Sequence, residues 1–150
     1  MIEVVVYGRM FLFHLQDLDL QWACFRAYND WVAEFASHNP KRLIGLGLVA
    51  MQDVGEAVKE LQRLAKKGLR GAMVNAAPPG DVPFSDSHFD PVWAAAQDLN
   101  LPISLHILTG KKSVQMGKGR VASTMSIIHE IQYSLTDLIY NGVLHRFPKL

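Results

Sequence analysis

His106 is the residue whose type and setting first suggest chemistry. It lies in Leu99 to Gly110, LNLPISLHILTG, where Pro102 opens a short run and Ile103, Leu105, Ile107 and Leu108 supply apolar bulk. The run is short for a helix and carries β-branched residues, so it reads as a buried parallel strand. Parallel α/β folds place their chemistry at the C-terminal ends of their strands, which makes His106 the best single candidate for a functional residue. The alternative is a core histidine whose ring nitrogens are satisfied by neighbours.

Other groupings carry less. Asp81, Asp86, His88 and Asp90 crowd one loop, and carboxylates beside an imidazole suit acid and base work. Asp81, however, follows Pro-Pro-Gly in a turn and Asp90 precedes Pro91 as a helix cap, which leaves Asp86 and His88 without a structural explanation. The loop GKKSVQMGKG resembles a phosphate cradle with Lys118 to follow. Its spacing fails, because Gly110 and Gly117 enclose six residues rather than four and Gly119 stands where a magnesium-binding Ser or Thr belongs. There is neither a G-x-G-x-x-G after a strand nor a G-x-S-x-G elbow, so nucleotide binding and serine hydrolase chemistry lose support. Cys24 borders the apolar face of a helix and reads as a small buried thiol. His129 and His145 lie on or after the last helix, at the wrong end of a βα unit for a site. His14 and His38 are loop or helix-end residues, and none of these four histidines gathers a second ligand at metal spacing.

The elements that must position these residues alternate. Ile2 to Tyr7 is a β-branched strand. Leu18, Trp22, Phe25, Tyr28, Val32 and Phe35 mark an amphipathic helix from Leu18 to about His38, stopped by Asn39-Pro40. Leu43 to Ala50 is the next strand, with Gly45 and Gly47 on one face where a side chain would crowd a neighbour. Asp53 and Glu56 form a capping pair for a helix whose stripe is Val54, Val58, Leu61 and Leu64 and which ends at Gly68. Leu69 to Asn75 is a third strand, Ala76 to Phe89 a long proline-rich loop, and Val92 to Leu99 a helix. After the His106 strand comes the polar loop Thr109 to Arg120. A final helix to about Asn141 follows, with Met125, Ile128, Ile131, Leu135, Leu138 and Ile139 as its apolar face and Gly142 as its stop, and then a turn at His145 to Pro148.

The order is βαβαβαβα, the signature of a parallel sheet with crossover helices. Four such units are half of a (β/α)8 barrel, which typically needs about 250 residues. A doubly wound open sheet competes; the lack of any element before Ile2 or after Leu150 favours the barrel piece. Residues 1–150 carry no linker and read as one domain.

Composition bounds the partners. A chain of 150 residues that is 49% apolar and 19% charged is globular, and a net charge of +1 from 15 basic and 14 acidic residues gives no electrostatic case for nucleic acid or a membrane surface. The apolar runs break within about ten residues, short of the roughly 20 that span a bilayer. No export signal is read. One cysteine excludes an internal disulfide framework and fits a reducing compartment, so the expected location is the cytoplasm.

Four blocks are specific enough to point to a family: AYNDWVAEFASHNPKRLIGLGLVAMQDV, ELQRLAKKGLRGAMVN, FDPVWAAAQDLNLPISLHILTG and LTDLIYNGVLHRFPKL. In this order, from about Leu18 to Leu150, they resemble the amidohydrolase-related metalloenzymes that include the aminocarboxymuconate-semialdehyde decarboxylases. The resemblance implies a (β/α)8 TIM barrel. It also implies a divalent metal, zinc by expectation, that activates water or polarises a small-molecule substrate for hydrolysis or non-oxidative decarboxylation.

The family pattern has a metal-ligating histidine at the end of the fifth strand, and His106 is the residue that matches. The pattern's H-x-H pair on the first strand has no match, because the chain starts at what corresponds to the second strand. His14 does not replace the pair, having no partner two residues away. The catalytic histidine after strand six and the ligating aspartate after strand eight fall beyond Leu150. The chain therefore reads as a partial barrel of about four βα units, strands two to five. It carries one metal ligand of the three a catalytic zinc normally takes, and it is expected to be inactive alone. Two other readings stay open: a non-catalytic half-barrel that forms a homo-oligomer through its open strand edges and inner face, and a doubly wound small-molecule binder that uses the basic loop.

Overall fold

Short parallel strands alternate with helices in the computed structural model, which describes residues 4–6, 10–110 and 120–150. β1 (Val4–Val6) pairs with β2 (Leu43–Gly45), placing Val4 opposite Leu43. A second ladder runs β3 (Gly47–Leu48), β4 (Ala72–Val74), β5 (Ile103–Leu105), with Gly47 opposite Ala72 and Ala72 opposite Ile103. All these pairings are parallel, and neighbours in space are neighbours in sequence. That order suits a barrel; a doubly wound sheet reverses direction at a switch point, and no reversal occurs among the described strands. The connecting helices are α1 (Leu18–Ser37), α2 (Val54–Lys66) and α3 (Asp90–Asp98), and α4 (Arg120–Tyr140) and α5 (Val143–Arg146) close the chain.

The strand expected over Leu43 to Ala50 is split at Leu46, one part pairing with β1 and the other with β4. Both of its glycines admit neighbouring side chains against the backbone, as expected. A Cβ at Gly45 would lie 2.7 Å from a Leu69 methyl carbon and 3.1 Å from one of Val32, and a Cβ at Gly47 would overlap Leu64.

Asn29 bridges the gap that the split creates. From the buried face of α1 its amide nitrogen donates to the Leu48 carbonyl at 3.0 Å while its amide oxygen accepts from the Leu48 N–H at 2.7 Å. One side chain thus satisfies both backbone polar groups of the buried residue Leu48, as a neighbouring strand would. The same Asn29 nitrogen donates to the Glu60 carboxylate at 2.7 Å, and Glu60, buried on α2, accepts from Arg63 at 2.8 and 2.9 Å. Arg63 reaches on to Asp30 and, with Lys67, holds the Asp30 carboxyl below the usual carboxylate range. Around this network Trp22, Phe25, Val32, Leu61 and Leu64 are buried as their spacing predicts, whereas Leu18 and Phe35, at the two ends of the α1 stripe, are exposed.

Several local expectations need correction. Asp53 caps α2 by accepting from the Glu56 N–H at 3.0 Å, but Glu56 does not reach back; its carboxylate takes Arg26 at 2.8 Å and Lys59 at 2.7 Å, charged donors that outcompete a backbone amide. Asp90 is the first residue of α3 rather than its cap. The 3-10 turn Ser87–Phe89 runs straight into the helix and leaves no extended residue there, so Asp86 caps the turn, accepting from the His88 N–H at 2.8 Å, and Asp90 pairs with Arg146 at 2.8 Å. The expected turn at His145 contains the short helix α5, and Gly142 ends α4 at φ +82°. Cys24 is half-buried, at the margin of the α1 face rather than within it.

The largest difference is on α4. Met125, Ile128, Leu135 and Ile139 of its expected apolar face are between 42% and 51% exposed, while Glu130 and Ser134 join Leu138 in the buried set. The helix rests on polar groups of the loop after β4: the Ser134 hydroxyl donates to the Ala76 carbonyl at 2.7 Å, and Asp137 accepts from the Ser85 hydroxyl at 2.7 Å and the Ser85 N–H at 2.9 Å.

Two measurements probe this frame. Asn29→Ala leaves both polar groups of Leu48 and the Glu60 carboxylate short of a partner, with an expected loss of about 2–4 kcal/mol in urea unfolding; a change under about 0.5 kcal/mol would remove Asn29 from this role. Burial pushes the Tyr28 phenol from 10.0 up to about 12. The folded chain therefore holds this proton more tightly than the unfolded one. Its contribution is complete below pH ~10 and is lost as pH rises towards ~12. Tyr28→Phe is expected to lose less stability than the parent chain over that interval, and parallel curves would exclude Tyr28 as the cause.

Candidate metal-ligand turn at the strand ends

His106 is the first residue beyond β5, and it opens the turn 106–110 at the C-terminal end of the sheet. Leu108 in this turn has φ +67°, a left-handed conformation that costs a non-glycine residue about 1–2 kcal/mol. Surrounding elements hold the turn in place. The Thr109 hydroxyl donates to the His106 carbonyl at 2.7 Å and accepts the Ala76 N–H at 2.7 Å. The amide nitrogen of Asn75, just past β4, donates to the Thr109 carbonyl at 3.1 Å, and Nε2 of His14, from the 3-10 turn after β1, donates to the Leu108 carbonyl at 2.8 Å. At Gly110 a Cβ would overlap the carboxylate of Glu130, so this end of the turn and the Glu130 side chain of α4 lie in close contact.

The His106 ring is oriented by its own turn, with Nδ1 lying 2.7 Å from the Ile107 carbonyl. A carbonyl oxygen only accepts, so in the neutral ring the proton is assigned to Nδ1 and the lone pair to Nε2. Metal-ligating histidines show this arrangement, in which the N–H away from the metal is tied to a carbonyl or carboxylate that fixes the tautomer.

A cavity of about 350 Å³ opens beside the turn, walled by His14, Gln52, Asn75, Thr109 and Gly110. These residues follow β1, β3, β4 and β5, so the cavity sits where the strand ends converge. Its volume suits a single-ring molecule.

The other sequence candidates disperse. Asp86 and Asp90 serve the backbone and Arg146 as described, and the exposed His88 packs its ring edge-on to Phe89. Nδ1 of His38 bonds the Glu34 carbonyl at 3.0 Å, and His145 lies in α5. His129 corrects the expectation for it. Rather than standing at the far end of the unit, it faces the loop after β4 across a cavity of about 530 Å³ shared with Pro78, Asp81 and Glu130. Most of the Gly-Lys loop, residues 111–119, lies outside the described residues. Among the described residues no three His, Cys, Asp or Glu side chains come together in a group able to hold a metal ion. The described set therefore fits one ligand of a divalent cation, and a complete centre needs ligands from elsewhere.

Sequence reasoning missed the supporting residues Asn75, Thr109, Glu130 and Ser134. The available signal was Asn75 directly after the apolar triplet of β4; Thr109, Glu130 and Ser134 stand in no comparable pattern.

The sequence model of the family described as Amidohydrolase matches residues 7–150. The chain belongs to this amidohydrolase family. It is 27% identical over 123 residues to a 2-amino-3-carboxymuconate-6-semialdehyde decarboxylase of Dictyostelium discoideum, covering 81% of this chain and 34% of that protein. To a gamma-resorcylate decarboxylase of Polaromonas it is 33% identical over 87 residues, covering 54% and 27%. Among solved structures, a 5-carboxyvanillate decarboxylase from Novosphingobium aromaticivorans with bound manganese and 3-methoxy-4-hydroxy-5-nitrobenzoic acid superposes with a TM-score of 0.83 at 24% identity, over 100% of this chain and 44% of that one. A 2,6-dihydroxybenzoate decarboxylase from Rhizobium gives 0.81 at 20% identity, over 99% and 49%. The chain of this amidohydrolase thus spans about a third or less of the relatives it matches in sequence and under half of these structures. No described helix is long and apolar enough to cross a membrane.

Proposed function

We propose that the chain supplies strands two to five, about four βα units, of a metal-dependent amidohydrolase-family barrel in which His106 Nε2 is one ligand of a divalent cation. The observation that carries this reading is the place of His106: it is the first residue beyond β5, at the strand ends, with Nδ1 turned onto the Ile107 carbonyl, the orientation that metal-ligating histidines show. The named relatives are decarboxylases, which supports non-oxidative decarboxylation of a small carboxylate over hydrolysis. Manganese in the 5-carboxyvanillate enzyme supports a divalent cation, and imidazole ligation accommodates zinc equally. When bound, the metal would supply Lewis-acid polarisation of the substrate. This chain's own residues orient one ligand and wall the adjoining cavity.

The 150-residue chain alone is expected to show no turnover of 2,6-dihydroxybenzoate or 5-carboxyvanillate with added manganese or zinc; turnover abolished by His106→Ala would overturn the inactivity. Metal contact has a separate readout. Manganese is expected to broaden NMR signals of residues 106–109 ahead of those near the other histidines, and the same broadening in His106→Ala would remove His106 as the ligand.

The exposed stripe Met125, Ile128, Leu135 and Ile139 on α4 supports a second reading, a non-catalytic half-barrel that self-associates. A monomer by size-exclusion chromatography at micromolar concentration would dispose of it, and a discrete dimer would favour it.

A further inference from the structure

We propose that Asn75 and Gln52 form a receptor for one neutral hydroxyl group in the cavity at the strand ends, and so select ring-hydroxylated ligands over rings that lack the hydroxyl. This pairing rests on the reading of the chain as part of a substrate-binding barrel but needs neither a metal nor His106. Asn75, directly after β4, is 6% exposed. Its amide nitrogen donates to the Thr109 carbonyl at 3.1 Å; a carbonyl only accepts, so the amide oxygen is turned away from that bond. The oxygen is buried and has no hydrogen-bond partner. Gln52, half-buried between β3 and α2, has the same deficit: its Oε1 is buried without a partner, and no hydrogen bond among the described residues holds the side chain in place. Both residues wall the same cavity of about 350 Å³.

Buried acceptors are nearly always paired, and two orphans at one cavity have a common explanation in a group that a ligand brings. Asn75 has spent its donor on Thr109, so that group must donate to it. The Gln52 amide presents its N–H after a half-turn, which lets it meet the oxygen of the same group. A hydroxyl, with one hydrogen to give and lone pairs to receive, satisfies both. Charge excludes the ionic alternatives. Among the described residues that wall the cavity there is no Asp, Glu, Lys or Arg, so an ammonium would enter without a counter-charge and a carboxylate without a cation. Phe13, Leu15, Leu18, Pro78 and Pro79 supply apolar wall for the ring that carries the hydroxyl.

The test is the binding of phenol and of toluene, rings of the same shape, to the full 150-residue chain without added metal, followed by NMR through the side-chain amides of Asn75 and Gln52. A cavity that offers no acceptor prefers toluene, because a hydroxyl taken from water without a partner is penalised. The parent chain is expected to bind phenol roughly tenfold more tightly than toluene and to shift the Asn75 amide signals as it does so. Gln52→Met keeps the length of the side chain and breaks no existing hydrogen bond; it is expected to cut the preference severalfold. Asn75→Leu is expected to reverse it. A parent chain that prefers toluene, that takes neither ring at millimolar concentration, or whose preference survives intact in Gln52→Met overturns the proposal, as does benzoate displacing phenol at equal concentration. Should Asn75→Leu not fold, having lost its bond to Thr109, Gln52→Met decides. The two readings fail separately. Selection of phenol by a chain whose residues 106–109 never respond to manganese ends the metal assignment alone, and indifference to the hydroxyl ends this inference whatever the metal does.

Discussion

The pairing of the Asn29 side chain with the backbone N–H and C=O of Leu48 is the interaction on which the rest of the structure depends. The strand between α1 and α2 changes partners at Leu46, and a buried backbone at such a break would lose its hydrogen bonds. Asn29 restores both of them from a helix face and is itself fixed by Glu60. β3 is thereby held where β4 can pair with it, and β5 pairs with β4. Displacing that first peptide would displace every strand end that follows, His106 included.

At those strand ends the chain spends polar side chains on its own backbone rather than on one another. Asn75, Thr109, Ser134 and His14 each bond a main-chain group of the turn or of its neighbour. The arrangement is costly in side-chain entropy but fixes the turn that carries His106. It also tolerates a left-handed Leu108, whose strain is offset by the His14 bond to its carbonyl.

The sequence is legible where physics is local. Apolar spacing placed α1 within a residue or so of its ends, Asp53 marked the start of α2, paired glycines marked the close approach of helices to β2 and β3, and a histidine after a short apolar run stood at the end of β5. What escaped is long-range. Asn29 looks like a polar interruption of an amphipathic helix until Leu48 is beside it. Thr109 looks like loop filler until Ala76 is seen to donate to it. The apolar stripe of α4 obeyed the helical period and still faced outward, because periodicity tells which residues share a face and not what that face meets; here the polar groups after β4 drew the other face inward.

That outward face has a bearing on the life of the chain in a cell. Met125, Ile128, Leu135 and Ile139 present a row of thioether and branched aliphatic groups to solvent. Molecular chaperones and quality-control proteases sense the same surface, and it also drives aggregation at working concentrations. For as long as this row is open to water, covering it and being captured through it compete in time, a contest of rates rather than of folding free energy.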